Sequence, residues 1–112
     1  MRKSKSVEFD EDMESVLRCP NCGFNYVRQR TVEVFQRSED AEEGLHTTAS
    51  ATDTAVGRSM VRNPSSRREG LIIHFDCEGC PARFEMHVSQ HKGMTLIGME
   101  YEPTDNRMEP SF

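Results

Sequence analysis

The chain has 112 residues, of which only 35% are hydrophobic, and its mean hydropathy is -0.71. A chain of this length supports one small domain, whose core usually needs a metal ion or a disulfide to hold it together. No run of about 18 apolar residues is present, so no membrane-spanning helix is expected. The formal net charge of -5 and the pI near 5.3 exclude a general attraction of the whole surface for nucleic acid or anionic lipid.

The N-terminal segment, residues 1–18, is expected to be a mobile arm or a short helix. Its basic start is followed by acids at residues 10–12 where a secretory signal would need apolar residues. The sequence therefore predicts a protein of the cytoplasm, or of the host cytoplasm if the source is viral, with reduced thiols. Met13, Val16 and Leu17 have the i, i+3, i+4 spacing of one helical face.

One strand and a long insertion, which contains a marginal strand, are predicted in the first two thirds of the chain. Residues 24–36 read as a strand, because Thr31–Phe35 is β-branched and aromatic with alternating exposure. Within residues 45–56, His46–Thr48 suits a marginal strand, whereas residues 57–70 are rich in serine and arginine and read as a loop. The whole segment 37–70 is expected to be an insertion at the tip of a hairpin.

Three further strands complete the predicted sheet. Leu71–Phe75 suits a buried strand, and residues 82–88 alternate apolar and polar residues with a period of two. Residues 90–93 form a turn, and Met94–Tyr101 forms the last strand. The tail, residues 102–112, is expected to be disordered. The predicted fold is therefore mainly β, an antiparallel meander of three to four strands within residues 19–101, with flexible termini.

All four cysteines fall into two pairs with identical spacing, Cys19-Pro-Asn-Cys22 and Cys77-Glu-Gly-Cys80. Two residues between ligands let one tight turn aim both thiolates at a single ion, and two such turns complete a tetrahedron. The 54 intervening residues, 23–76, exceed the roughly 15–20 of compact sites, but the cost of closing a loop grows only logarithmically with its length. Pro81 follows the second pair where Gly23 follows the first, so the two turns are not expected to be equivalent.

These pairs and the strands beside them resemble the zinc-ribbon family with its rubredoxin-like knuckles. More loosely, they are similar to small uncharacterised zinc-ribbon proteins of actinobacteria and their phages. The resemblance covers about half of the chain and omits residues 37–70 and both tails. It implies one structural Zn²⁺ bound by Cys19, Cys22, Cys77 and Cys80, in a module that serves transcription, translation or replication, and it implies no catalytic residue.

Other uses of the cysteines are weighed against structural zinc. Iron in a rubredoxin-like redox site would use the same four thiolates. A thiol–disulfide enzyme needs an exposed, activated Cys-x-x-Cys in a βαβ setting, which the sequence does not predict. A catalytic zinc ion keeps an open position, whereas four cysteines close the shell. A Cys₃His site that includes His74 is conceivable but unnecessary.

An arginine-rich stretch offers the main alternative binding feature. Arg58, Arg62, Arg67 and Arg68 lie within residues 58–68 without an intervening acid, and they are candidate contacts for phosphate or for a partner. No aromatic residue lies among them, so base stacking is not supported there. An ordinary solvated loop is the competing interpretation.

The sequence therefore favours a non-enzymatic adaptor or regulator that binds another macromolecule, most readily a protein, and does not predict the oligomeric state. Acidic stretches at 8–14 and 39–43 could engage a basic partner surface or simply keep the chain in solution. The alternatives are a nucleic-acid-binding ribbon that uses the arginine loop and an iron redox carrier. The histidines are expected on the surface or on strand faces, and no nucleophile–base set is recognisable.

Overall fold

The computed structural model describes residues 2–104, which form one open antiparallel sheet of seven strands. The strands are β1 (Lys3–Ser6), β2 (Val27–Gln36), β3 (Glu43–Ala49), β4 (Thr54–Ser59), β5 (Gly70–Cys77), β6 (Arg83–His91) and β7 (Met94–Tyr101). Their order across the sheet is β1-β7-β6-β5-β2-β3-β4. Within the described residues the chain forms no helix, so the predicted mainly-β class is confirmed.

One face of the sheet, here called the apolar face, carries rows of hydrophobic side chains that follow the strand register. One row runs from Ile97 on β7 through Val88, Leu71 and Val34 to Thr47 and Val56 on β4. The next row contains Met99, Met86, Ile73, Val32 and Ala49. Because side chains alternate along a strand, these rows place most of the aliphatic residues of the sheet on one side, whereas Ile72 and Leu96 lie on the other.

The apolar face is covered only near the cysteines. There, Cys19, Cys80, Ala82, Phe84 and Met99 form the buried cluster. Val7 and Leu17 of the N-terminal segment pack against this cluster. At the opposite end of the strands the side chains of Ile97 and Val56 are 54% and 64% exposed, so that part of the face has no cover within residues 2–104.

The opposite face, here called the polar face, is built around a buried carboxylate. Glu33 on β2 is only 5% exposed, and its carboxylate receives hydrogen bonds from His46 on β3, His74 on β5 and Arg62. Arg62 belongs to the loop that joins β4 to β5 and holds that loop over the sheet. Phe35, which is fully buried on the same face, stacks on the His46 ring at a centroid distance of 4.2 Å.

Both edge strands extend the fold beyond the predicted meander of three to four strands. β1 and β4 are exposed throughout, and β4 includes Gly57–Ser59, which were predicted to lie in a loop. The predicted short helix around Met13 does not form; residues 11–16 make turns, with the Asp10 carboxylate accepting the amide hydrogens of Asp12 and Met13. Most of the predicted disordered tail lies outside the described residues.

Candidate metal centre

The register of the sheet brings the two cysteine turns together. The first turn, residues 19–24, leads into β2, and the second turn, residues 77–82, joins β5 to β6. β2 and β5 are antiparallel neighbours, and Val27 lies opposite Cys77. The start of β2 therefore lies beside the end of β5. This strand pairing alone brings together the two cysteine turns, which are separated by 54 residues in the sequence.

The four sulfur atoms form one compact group. The Sγ atoms of Cys19 and Cys80 are 3.9 Å apart, and those of Cys22 and Cys77 are 3.6 Å apart. All four lie within 4.8 Å of one another, and no pair is joined as a disulfide. A tetrahedral ion with metal–sulfur bonds of about 2.3 Å requires sulfur–sulfur distances of about 3.8 Å. The cluster thus has the size and donor chemistry of a four-thiolate metal site.

Backbone amides of both turns point at the sulfur atoms. The amide of Asn21 donates to Cys19 Sγ over 3.4 Å, and the amide of Gly79 donates to Cys77 Sγ over 3.2 Å. The Asn21 side chain donates to Cys80 Sγ over 3.5 Å. Such donors stabilise negative charge on sulfur, so these bonds favour the thiolate form that a metal ion needs.

The expected difference between the two turns lies in the backbone rather than in the donors to sulfur. The Ala82 amide lowers the pKa of the Cys80 thiol, and the Phe24 amide acts in the same direction on Cys22. The missing N–H of Pro81 therefore removes no bond to sulfur. What the first turn has in addition is a bond from the Gly23 amide to the Cys19 carbonyl, at 2.9 Å, with Gly23 at φ +83°. Proline lacks this donor, and its ring fixes φ near -65°.

Burial sets the protonation of the thiols in the absence of an ion. Burial raises the pKa of Cys19 to about 12 and also raises the pKa of Cys22. For Cys80, burial acts in the same direction but is outweighed by hydrogen bonds from the Ala82 amide and the Asn21 side chain, so its pKa is lowered. A cation must therefore displace protons from the buried thiols, which makes metal binding dependent on pH.

Residues around the sulfur cluster fix the positions of the turns. A Cβ atom at Gly79 would lie 2.7 Å from the Phe24 ring, so only glycine lets the turns approach this closely. The Asn21 side chain also exchanges hydrogen bonds with Thr104, whose backbone amide donates to Asn21 Oδ1 over 3.2 Å. The segment after β7 is thereby attached to the first turn.

The structure divides the four candidate arginines among different carboxylates. Arg58 lies 3.6 Å from Glu43 at the exposed edge, and Arg62 is bound to the buried Glu33. Arg67 and Arg68 both contact Glu39, at 3.4 and 3.1 Å. Arg62 therefore has a structural role, and only Arg67 and Arg68 lie side by side.

A histidine–carboxylate network on the polar face was not recognised in the sequence. It continues from Glu33 and His74 to Glu85, whose carboxylate lies 2.8 Å from the His87 ring. Glu85, His87 and Glu100 place ligand atoms within 4.8 Å of one another, but Arg2 already forms ion pairs with both carboxylates. His74 contacts Glu33 in this network, and the sulfur cluster contains no histidine. Only strand register reveals such contacts, because the residues are far apart in sequence.

Comparison with protein-family models, curated proteins and solved structures gives no match. Residues 2–104 include no helix that is long and apolar enough to cross a membrane. The function of the chain is therefore inferred from its sulfur cluster and from the surfaces of its sheet.

Proposed function

We propose that the chain is a zinc-ribbon protein in which Cys19, Cys22, Cys77 and Cys80 hold one structural Zn²⁺. The observation that supports this is the group of four sulfur atoms, whose separations suit a tetrahedral ion and two of which accept hydrogen bonds from backbone amides. Zn²⁺ in a closed four-thiolate shell has no position for substrate, so its contribution is to cross-link the two turns. Unpaired thiols in this arrangement suit a reducing compartment such as the cytoplasm.

The ion is distinguished from iron by direct analysis of the purified protein. We expect about one zinc per chain and a colourless solution, because Zn²⁺ has a filled d shell. A red protein with visible absorption and one iron per chain would instead support a rubredoxin-like electron carrier.

We propose further that the protein is a non-enzymatic adaptor that binds another protein through the open part of its apolar face. Ile97, Val88, Leu71, Val34 and Val56 form a continuous row there, with only Thr47 interrupting it and no charged side chain in it. Exposed apolar patches on small proteins commonly mark binding surfaces. The net charge of -5 makes an anionic membrane or nucleic acid a poor occupant, so a protein with an apolar surface is proposed.

Two exposed valines provide a matched test of this surface. Val56 lies in the apolar row and is 64% exposed, whereas Val61 lies in the loop over the other face and is 90% exposed. Tagged wild-type, Val56→Glu and Val61→Glu proteins are used for affinity capture from native cytoplasm, with sedimentation velocity to detect self-association. We expect a stoichiometric, salt-resistant complex that Val56→Glu abolishes and Val61→Glu retains. Equal recovery with both variants would refute the proposed surface, and dimers that only Val56→Glu dissociates would identify a second copy as the occupant.

A further inference from the structure

A small cleft lies at the end of the sheet opposite the cysteines. Its volume is about 140 Å³, and it is formed where the β4–β5 loop meets the β6–β7 turn. Ser66, Arg67 and Arg68 line it from the loop, and His91 and Lys92 line it from the turn. Residues 25 positions apart in the chain thus combine into one surface that sequence inspection treats as two unrelated segments.

The loop that presents Arg67 and Arg68 is fixed by internal hydrogen bonds. The Arg37 guanidinium donates to the backbone carbonyls of Ser65, Arg68 and Ala41, at 2.9, 3.1 and 3.1 Å. The Asn63 amide donates to the Arg68 carbonyl over 2.8 Å. The backbone carbonyls of Ser65 and Arg68 both accept these hydrogen bonds. They therefore fix the loop backbone that carries the two arginines.

Ser65 joins this loop to the turn on the other side of the cleft. Ser65 is only 3% exposed, and its hydroxyl donates to the Glu69 carbonyl and accepts the amide hydrogen of Gln90 over 2.9 Å. Lys92 and Gly93 then form the turn itself with φ values of 51° and 82°. Positive φ at two successive residues is typical of the tight turns that match the twist of a hairpin. The loop and the turn that form the two walls of the cleft are therefore fixed relative to each other.

The charges in the cleft favour an anion. Arg67, Arg68 and Lys92 supply three positive charges against the two carboxylates of Glu39 and Asp40. Asp40 binds Arg67 through two bonds of 2.6 and 2.8 Å, which orients its guanidinium. Within residues 2–104 Lys92 has no carboxylate partner, and the arginine side chains are 62% and 54% exposed.

We propose that this cleft binds a phosphate group through Arg67, Arg68 and Lys92, with the Ser66 hydroxyl as an additional donor. Guanidinium groups bind phosphate through paired N–H donors, and lysine adds a mobile point charge. A volume of about 140 Å³ admits one phosphate group rather than a whole nucleotide. The phosphate comes either from a small free anion or from a nucleic-acid backbone, and both present the same oxygen atoms.

The test measures binding of inorganic phosphate, pyrophosphate and a short oligothymidylate to the metal-loaded full chain by calorimetry at low salt. Arg68→Gln and Lys92→Gln should each weaken binding about fivefold or more, because each removes a charged contact. Arg58→Gln, which makes the same charge change at the far edge strand, should leave affinity within about twofold. Glu39→Gln should strengthen binding, because it releases Arg68 from its present carboxylate partner.

The outcomes separate the two sources of phosphate. Saturable binding of phosphate or pyrophosphate with this pattern of variants identifies a small-anion site. Binding of the oligonucleotide alone, with a salt dependence that decreases in Arg68→Gln, identifies a nucleic-acid backbone. Absence of saturable binding by all three probes, or equal weakening by Arg58→Gln and Arg68→Gln, would overturn the proposal. The gain expected for Glu39→Gln cannot arise from misfolding, which protects the test against an unstable variant.

Discussion

The two ends of the sheet are held together by different means. At the cysteine end, turns that are 54 residues apart approach through sulfur atoms 3.6–3.9 Å from one another, too far for a covalent bond. At the loop end, Arg37 and Ser65 connect the loop to its surroundings with ordinary hydrogen bonds. Under the proposed function a bound Zn²⁺ links the turns of the cysteine end, whereas hydrogen bonds alone hold the loop end.

The buried hydrophobic cluster lies at the end that would hold the proposed ion. Cys19 and Cys80 are themselves members of the buried cluster, with Phe84 and Met99. Loss of the ion would therefore place protonated, unbridged thiols within the core and release the two segments that enclose it. Phe35 and Ile72 are also fully buried, but neither belongs to the cluster around the cysteines. Stability should consequently be much more sensitive to changes at the cysteine end.

The largest effect is expected for Cys19→Ser. Structural zinc supplies on the order of 10 kcal/mol of folding free energy in small zinc domains, comparable to the whole stability of a domain this size. The variant should therefore be unfolded by circular dichroism at neutral pH, as should the wild type after treatment with a strong chelator. A melting curve that neither change alters would contradict the role assigned to the ion.

Glu33→Gln should cost about 3 kcal/mol, because it leaves Arg62, His46 and His74 without their shared buried carboxylate. Burial opposes ionisation of Glu33, but hydrogen bonds from Arg62, His74 and His46 outweigh it and lower its pKa from 4.5 to about 2. A depressed pKa in the folded state stabilises the fold above the unfolded value, and this contribution is lost as pH falls from about 4.5 towards 2.

The measurement for Glu33 is urea unfolding of wild type and variant at several pH values. The difference in unfolding free energy should shrink as pH falls below about 4.5. Only pH values at which both proteins retain the ion are compared, because loss of the ion would unfold them. A difference that does not depend on pH would show that the Glu33 carboxylate is not held ionised by its partners.

A smaller loss, about 2 kcal/mol, is expected for Ser65→Ala at the loop end. This substitution leaves the Gln90 amide and the Glu69 carbonyl without their buried partner. Ser66→Ala, which changes an exposed hydroxyl next to it, should alter the unfolding free energy by less than about 0.5 kcal/mol. Equal effects of the two substitutions would mean that Ser65 does not connect the loop to the β6–β7 turn.

The smallest effects should distinguish the two cysteine turns. Gly23→Ala forces a side chain into φ +83° and should cost about 1–2 kcal/mol. Pro81→Ala should change stability by less than about 1 kcal/mol, because the Pro81 nitrogen provides no hydrogen bond. Thermal unfolding with zinc in excess measures both, and a larger loss for Pro81→Ala would contradict the difference described for the turns.

The sequence predicts those elements whose side chains alternate strongly. β6 and β7 follow from the period-two pattern of residues 82–88 and the apolar stretch of 94–101, and the identical spacing of the cysteine pairs predicts the sulfur cluster. β1 has the sequence Lys-Ser-Lys-Ser and is a strand only because it pairs with β7. β4 is equally dependent on β3, so residue propensity alone does not reveal it.

The contacts on the polar face could not be predicted from the sequence, because they depend on how the strands are aligned. Glu33 meets His46 and His74 only after β2, β3 and β5 are aligned, and the register between β2 and β5 shifts between Gln29 and Val32. A shift of one residue would turn Glu33 to the other face of the sheet. Arg67 and Lys92 likewise line one cleft only because the fold places the β4–β5 loop beside the β6–β7 turn.

X-ray absorption at the metal edge of the purified protein identifies the ion and the atoms bound to it. We expect a zinc edge with four sulfur neighbours at about 2.3 Å and no nitrogen or oxygen bound to the ion. Sulfur coordination should fall to three in any single Cys→Ser variant that still retains the ion. An ion bound by nitrogen and oxygen atoms, or a native protein with no bound metal, would contradict the proposed four-thiolate zinc site.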